Sequence, residues 1–139
     1  MKVKDAMHKG AEWVAPNTPV LELAKMMHKH DIGAIPIGEN DKLIGMVTDR
    51  DIVCRGLANG KDVSKLTARD VMTADIIWCH ADEDLDDATR IMENKKVRRL
   101  PVIDSNKRMV GMLSLGDVSH AGKSKLSGEV LQAVSAHHK

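Results

Sequence analysis

The chain has 139 residues, with 21 Lys and Arg against 20 Asp and Glu and a formal net charge of +1. That length allows one domain or two small units with a core that needs no staples, and the near-neutral balance advertises no basic face for nucleic acid. Apolar residues make up 42% and charged residues 29%, the proportions of an ordinary soluble globular protein.

No apolar run approaches the roughly 18 residues of a membrane span, and the start, MKVKDAMHKG, lacks the apolar stretch of a signal peptide. The expectation is a cytoplasmic protein with no membrane contact. Cys54 and Cys79 form no CxxC pair and lie in apolar segments. They are expected to be buried thiols, with a single bridge left open. Nine Met, two Trp and no Phe or Tyr leave an aliphatic core, so a flat ligand would lie mostly on aliphatic side chains.

In chain order the first expected element is a short strand, Glu12–Ala15 (EWVA). A helix follows, with Thr18 as N-cap and Pro19 at its first position. Val20, Leu23, Ala24 and Met27 then fall at helical spacing on one apolar face. Two short strands come next, Ala34–Ile37 and Leu43–Val47, joined by the turn-rich GENDK, and a second helix begins at Thr48. Residues 58–66 form a linker.

The second half repeats the first. Sliding the chain by 65 places KDAM (4–7) on RDVM (69–72), Trp13 on Trp78, Met27 on Met92 and AIPI (34–37) on RLPV (99–102). One inserted residue later, Gly45 falls on Gly111 and Asp51 on Asp117. A strand DIIWC (75–79) therefore precedes a helix whose acidic start, Asp82–Glu83–Asp84, suits the positive end of the helix dipole. Leu85, Ala88 and Met92 supply its apolar face. Strands Arg99–Ile103 and Met109–Leu113 follow, joined by DSNKR, and a helix begins at Ser114.

The tail, KLSGEVLQAVSAHHK, has Val130, Leu131 and Val134 on one side of a last helix, with His137 and His138 at a frayed end. The order is β-α-β-β-α twice: a first repeat over 1–60, a second over 61–122 and a helical tail over 123–139. A three-stranded unit of this size cannot bury both faces alone. The expected α/β (α+β) architecture is therefore two repeats packed sheet to sheet with pseudo-twofold symmetry and two equivalent clefts.

The same turn ends the hairpin of each repeat: TDRD (Thr48–Asp51) and SLGD (Ser114–Asp117). One reading is a capping box, in which hydroxyl and carboxylate each satisfy a backbone N–H of the helix start, contributing about 0.5–2 kcal/mol. The other uses the same atoms for a ligand. A helix start favours phosphate, a hydroxyl can bond a ligand oxygen, and an Asp can accept both hydroxyls of a vicinal diol. Gly45 and Gly111 would let something approach the backbone closely.

A second feature is KKVRRLPVID (95–104). Lys95 and Lys96 suit a helix C-terminus. Arg98 and Arg99 are either solvated edge charges or, pointing to opposite faces of a strand, bidentate phosphate ligands. The first repeat has Gly33 and Ala34 there, so the two clefts differ chemically. His28 and His30 have no third ligand at metal spacing. The run DEDLDD (82–87) lacks the glycine and terminal glutamate of a calcium loop. No GxSxG, Walker A or GxGxxG motif occurs. No metal site and no catalytic constellation is expected.

These segments, DAM…TPVLELAKMM…IGAIPI…LIGMVTDRDI and DVM…IMENKKVRRLPVID…MVGMLSLGDV, resemble the cystathionine-β-synthase (CBS) domain family in a tandem pair, the Bateman module. The resemblance runs from about Val3 to Ser119. It implies a stand-alone regulatory module, not an enzyme, with no catalytic cofactor. Such a module would bind an adenosine-containing ligand (AMP, ADP, ATP, NAD or S-adenosylmethionine) between repeats, for example in energy sensing, and signal to an unidentified effector protein.

By the same resemblance Asp51 and Asp117 would hold ribose hydroxyls, Thr48 and Ser114 would contact ribose or phosphate, and Arg98 and Arg99 would meet phosphates. The base would lie on Ile32, Ala34 and Met112 at one cleft and on Met46, Ile77 and Val97 at the other. Backbone near Val14 and Ile77 would read the adenine edge. The Asp117 cleft, supported by Arg99, is expected to bind better. A homodimer is implied; nucleic acid is not. The alternative is a structural or protein-interaction module with unoccupied clefts.

Overall fold

The computed structural model describes residues 1–10 and 13–136. Glu12 of the expected first strand, and His137 and His138, lie outside the described residues. The fold is mixed α/β and divides into two compact units. One contains Met1–Ala11 and Ile77–Lys139, the other Glu12–Ile76.

Each unit is built on a hairpin. In the unit formed by the middle of the chain, β2 (Ala34–Glu39) pairs antiparallel with β3 (Lys42–Thr48). Asn40 and Asp41 both take positive φ, 54° and 63°, the geometry of a two-residue hairpin turn that Asn and Asp tolerate. In the other unit β5 (Arg99–Ile103) pairs antiparallel with β6 (Met109–Ser114). Two further strands extend that sheet to the order β1-β6-β5-β4, with β1 (His8–Lys9) antiparallel to β6 and β4 (Cys79–His80) parallel to β5. The middle unit repeats this order in reduced form: Thr73 bridges Met46 of β3 antiparallel, and Val14 bridges Ile37 of β2 in parallel.

The chain therefore does not close each sheet with the segment nearest in sequence. The opening segment of the chain, α1 (Val3–Ala6) and β1, edges the sheet of the second repeat, and its equivalent, α4 (Ala68–Val71) with Thr73, belongs to the first. The compact units and the sequence repeats thus have different limits.

The matched placement of Gly45 and Gly111 in the two repeats has its explanation in that exchange. A Cβ on Gly111 would lie 2.5 Å from the His8 carbonyl oxygen, and one on Gly45 would lie 2.7 Å from Met72 Sδ and 3.0 Å from the Thr73 oxygen. What approaches these glycines is the chain's own edge segment.

The cores follow from the expected apolar faces with corrections. On α2 (Val20–His30), Val20, Leu23 and Met27 are buried, but Ala24 is exposed. The buried stripe is narrower than the full i, i+3, i+4, i+7 set. Pro19, not Thr18, is the N-cap. Thr18 N–H donates to the Ala15 oxygen at 3.0 Å, and the Val20 N–H that a cap would stabilise donates to Leu66 O at 2.9 Å. On α5 (Leu85–Lys95), Leu85, Ala88, Thr89 and Met92 are all buried, with Thr89 Oγ1 donating to Leu85 O at 2.7 Å so that its hydroxyl is satisfied.

The last helix, α7 (Ser124–Ser135), buries Val130 and Val134, but Leu131 is 52% exposed. It is held to α5 through Arg90, which pairs with Glu93 at 2.7 Å and with Glu129.

Three more expectations need revision. Over the described residues 13–15 the expected first strand is present only as the bridge at Val14, and the Trp13 ring lies against Gly38, where a Cβ would come within 2.3 Å of it. The strand expected over 75–79 is β4, Cys79–His80, because a turn joins Ile76 N–H to Ala74 O at 2.9 Å. Cys79 is buried but Cys54 is exposed, and both are free thiols. Cys54 lies on the π-helical segment Ile52–Leu57 that continues α3 (Asp49–Asp51) and buries only Gly56.

Candidate functional site

The two hydroxyl–carboxylate turns fold as capping boxes. Thr48 is the N-cap of α3: Asp51 N–H donates to Thr48 Oγ1 at 3.1 Å, and Thr48 N–H donates to Asp51 Oδ2 at 2.9 Å. Ser114 is the N-cap of α6 (Leu115–His120): Asp117 N–H donates to Ser114 Oγ at 3.1 Å, and Ser114 N–H donates to Asp117 Oδ2 at 2.9 Å. In both turns the same carboxylate oxygen, Oδ2, is engaged by the cap.

The other oxygen faces a basic side chain. Arg55 Nε lies 3.8 Å from Asp51 Oδ1, one turn further along the helix. His8 Nδ1 lies 2.8 Å from Asp117 Oδ1, reached from β1. Each ionised carboxylate has about four acceptor positions. The cap and one neighbour occupy only part of that capacity.

Strand register assembles more of the expected residues. Arg99 is directly opposite Ser114, and Met112 is opposite Pro101 on one side and His8 on the other. Directly opposed residues share a sheet face, and so do residues two apart. His8, Arg99, Met112 and Ser114 therefore lie on one face, while Gly111 and Leu113 between them are buried. The middle unit matches it: Ala34 is opposite Thr48, and Met46 is opposite Pro36 and bridges Thr73. Ala34, Met46, Thr48 and Thr73 share a face.

Arg98 and Arg99 are both exposed, and no side-chain partner holds either guanidinium among the described residues. Arg98 lies just before β5, its carbonyl accepting Leu115 N–H at 2.9 Å, which anchors the basic pair beside the start of α6. The remaining expected residues are more dispersed. Ile77 and Val97 are half-buried and pack on the core of their unit, Ile32 is 42% exposed, and Val14 packs on the other core. Val14 N–H donates to Pro36 O at 3.1 Å and its carbonyl accepts Gly38 N–H at 3.0 Å. Only the carbonyl's second lone pair is left there for a ligand.

Sequence reasoning missed His8 and Arg55. Arg55 was legible, four residues after Asp51 on a helix. His8 was not: its strand has only two residues and no apolar alternation, and the repeat places it on Thr73, a residue of different chemistry. Among the described residues no group of three or more His, Cys, Asp or Glu could hold a metal ion, and no helix is long and apolar enough to cross a membrane.

Two hairpin units of one design, each ending in a capped carboxylate at a helix start, define a tandem-repeat module. The CBS domain model matches the chain twice, over residues 3–55 and 68–124, and the chain belongs to the CBS domain family. Hypoxic response protein 1 of Mycobacterium tuberculosis is 39% identical over 117 residues, 84% of this chain and 81% of the relative. The crystal structure of Hypoxic Response Protein I with two coordinated zinc ions is 37% identical, with a TM-score of 0.78 and coverage of 87% of this chain and 98% of that one.

The CBS domain pair of protein MJ0100, in complex with 5′-methylthioadenosine and S-adenosyl-L-methionine, is 32% identical with a TM-score of 0.78, covering 90% of this chain and 98% of that one. CBSX2 in complex with AMP is 26% identical with a TM-score of 0.75, covering 89% and 97%. An enzyme relative is matched over a small part: the chain spans 20% of the inosine-5′-monophosphate dehydrogenase of Thermoplasma acidophilum, at 31% identity.

Proposed function

We propose that this protein is a regulatory, non-enzymatic CBS pair that binds an adenosine-containing ligand at its two capped helix starts and signals to a partner protein. The ligand class is AMP, ADP, ATP, NAD or S-adenosylmethionine, and the working form is a cytoplasmic homodimer. Asp51 and Asp117 accept the ribose diol, Thr48 and Ser114 contact ribose or phosphate, and Arg98 and Arg99 meet phosphate. Ile32, Ala34, Met46, Ile77, Val97 and Met112 supply apolar surface for the base.

One observation carries the reading. In each turn Oδ2 is held by the cap while Oδ1 is turned to a basic side chain instead, His8 at Asp117 and Arg55 at Asp51. Arg99 opposite Ser114, with no carboxylate partner among the described residues, favours a phosphorylated ligand at Asp117 over one at Asp51. The occupied relatives support the adenosine class, since AMP, 5′-methylthioadenosine and S-adenosylmethionine share that moiety.

A second reading is a structural or interaction module. It is favoured by the completeness of both capping boxes, which give the two carboxylates a sufficient purpose without any ligand. Thermal unfolding with AMP, ADP, ATP, NAD, NADH and S-adenosylmethionine separates the two. A ligand present at a hundred times its dissociation constant adds about 2.7 kcal/mol, a shift of several degrees at this size. The expected result is a shift with one of these ligands that is lost in Asp117→Ala or Asp51→Ala. Flat traces for every ligand with folded protein refute the binding reading.

A further inference from the structure

The two turns differ in the basic side chain that faces the outer carboxylate oxygen. Arg55, beside Asp51, keeps its charge at every accessible pH. His8, beside Asp117, is an imidazole, the side-chain type best suited to act as a charge switch. His8 is also placed to intervene: its side chain is 81% exposed while that of Asp117 is 7% exposed. The imidazole thus lies on the solvent side of the carboxylate it touches at 2.8 Å, and a hydroxyl approaching Oδ1 meets it first. Oδ2 cannot take over freely, because the Ser114 N–H holds it at 2.9 Å.

We infer that His8 is a proton-dependent competitor for the ligand at Asp117. Protonated, it holds Oδ1 in a charge-assisted hydrogen bond and weakens binding of a ribose diol; neutral, it yields that oxygen. The inference rests on Asp117 being the ribose-binding carboxylate and adds a regulation that the Asp51 turn lacks, since Thr73 occupies the matching register position.

Among the described residues the surroundings do not supply a second titrating group aimed at Oδ1. β6, which pairs with β1, has no titratable side chain. The other ionisable neighbours on these strands are Lys9 on β1 and Arg99 on β5. On α6, His120 turns Nδ1 to the Gly116 carbonyl at 2.8 Å. On α5 and α7, both packed against α6, Asp86 pairs with Lys123, and Arg90 pairs with Glu129.

The test is calorimetric titration of the full chain with adenosine and with 5′-methylthioadenosine, neither of which has an ionisable phosphate, at pH 5.5 and 8.0. An Asp51→Ala background leaves only the Asp117 turn to report. A competitor that must lose its proton before the ligand binds weakens apparent affinity by up to about tenfold for each pH unit on the acid side of its titration. The expected result is binding several-fold to about tenfold weaker at pH 5.5 than at pH 8.0.

His8→Thr, which copies Thr73, is expected to bind equally at both pH values with the affinity of the parent at pH 8.0. His8→Lys, with a permanent charge, is expected to bind weakly at both. A flat or inverted profile in the parent overturns the inference and leaves the ligand reading standing. So does a pH dependence that survives His8→Thr, as it would if His120 were responsible. No binding of either nucleoside at pH 8.0 overturns the Asp117 reading and this inference with it.

Discussion

Replacing Gly111 by alanine tests the exchange of edge segments on which the site is built. A Cβ at this position would lie 2.5 Å from the His8 carbonyl oxygen and 2.7 Å from Met7 Sδ. The methionine can turn away; the carbonyl is backbone and is held by β1. Ordinary contact begins at 3.4 Å, so β1 must retreat by about 0.9 Å, further than a hydrogen-bonded edge tolerates. Overpacking of this kind costs about 1–3 kcal/mol, offset in part by about 0.5–1 kcal/mol from removing a strand glycine, for a net loss centred on about 1 kcal/mol.

Gly45→Ala is the control, since its nearest obstacle is the flexible Met72 Sδ and the Thr73 oxygen is at 3.0 Å; its expected cost is smaller. Urea unfolding measures the difference. Hydrogen exchange locates it, because the Gly10 N–H donates to Val110 O at 3.1 Å and loses protection if β1 lifts. A Gly111→Ala protein as stable as Gly45→Ala, with Gly10 still protected, would refute the argument.

Other outcomes follow from the same structure. Asp51→Ala and Asp117→Ala each remove a capping-box partner and are expected to lose about 0.5–2 kcal/mol in ligand-free urea unfolding, with the larger loss at the more buried Asp117. Maleimide is expected to label Cys54 and spare Cys79 in the folded protein at pH 7.5, because burial pushes the Cys79 thiol up to about 12; labelling of both, followed by mass spectrometry, would contradict the packing of β4.

The hydrogen bond from Arg90 holds Glu129 below its ordinary value of 4.5. A carboxylate depressed in the folded state stabilises above its unfolded value, and that contribution is lost as pH falls through the folded one. Stability is therefore expected to fall below about pH 4.5 through this contact, and Glu129→Gln is expected to reduce that dependence in denaturant unfolding at pH 6 compared with pH 3.

The sequence by itself determined the duplication, the two hairpins, the helix starts at Thr48 and Ser114, and the buried faces of α2 and α5. All of these depend on contacts within a few residues: turn chemistry, caps and helical periodicity. Tertiary structure decided the rest. Ala24, Leu131 and Cys54 are exposed although their neighbours are apolar, because periodicity marks a face but the width of that face is set by what packs on it. Thr18 yields its cap position to Pro19 because Val20 N–H already donates to Leu66, far along the chain.

The site divides in the same way. Its carboxylates and hydroxyls were legible because the capping box is a local motif that ligand chemistry can share. His8 was not, because a two-residue edge strand has no pattern of its own, and its place beside Asp117 depends on a pairing across more than a hundred residues.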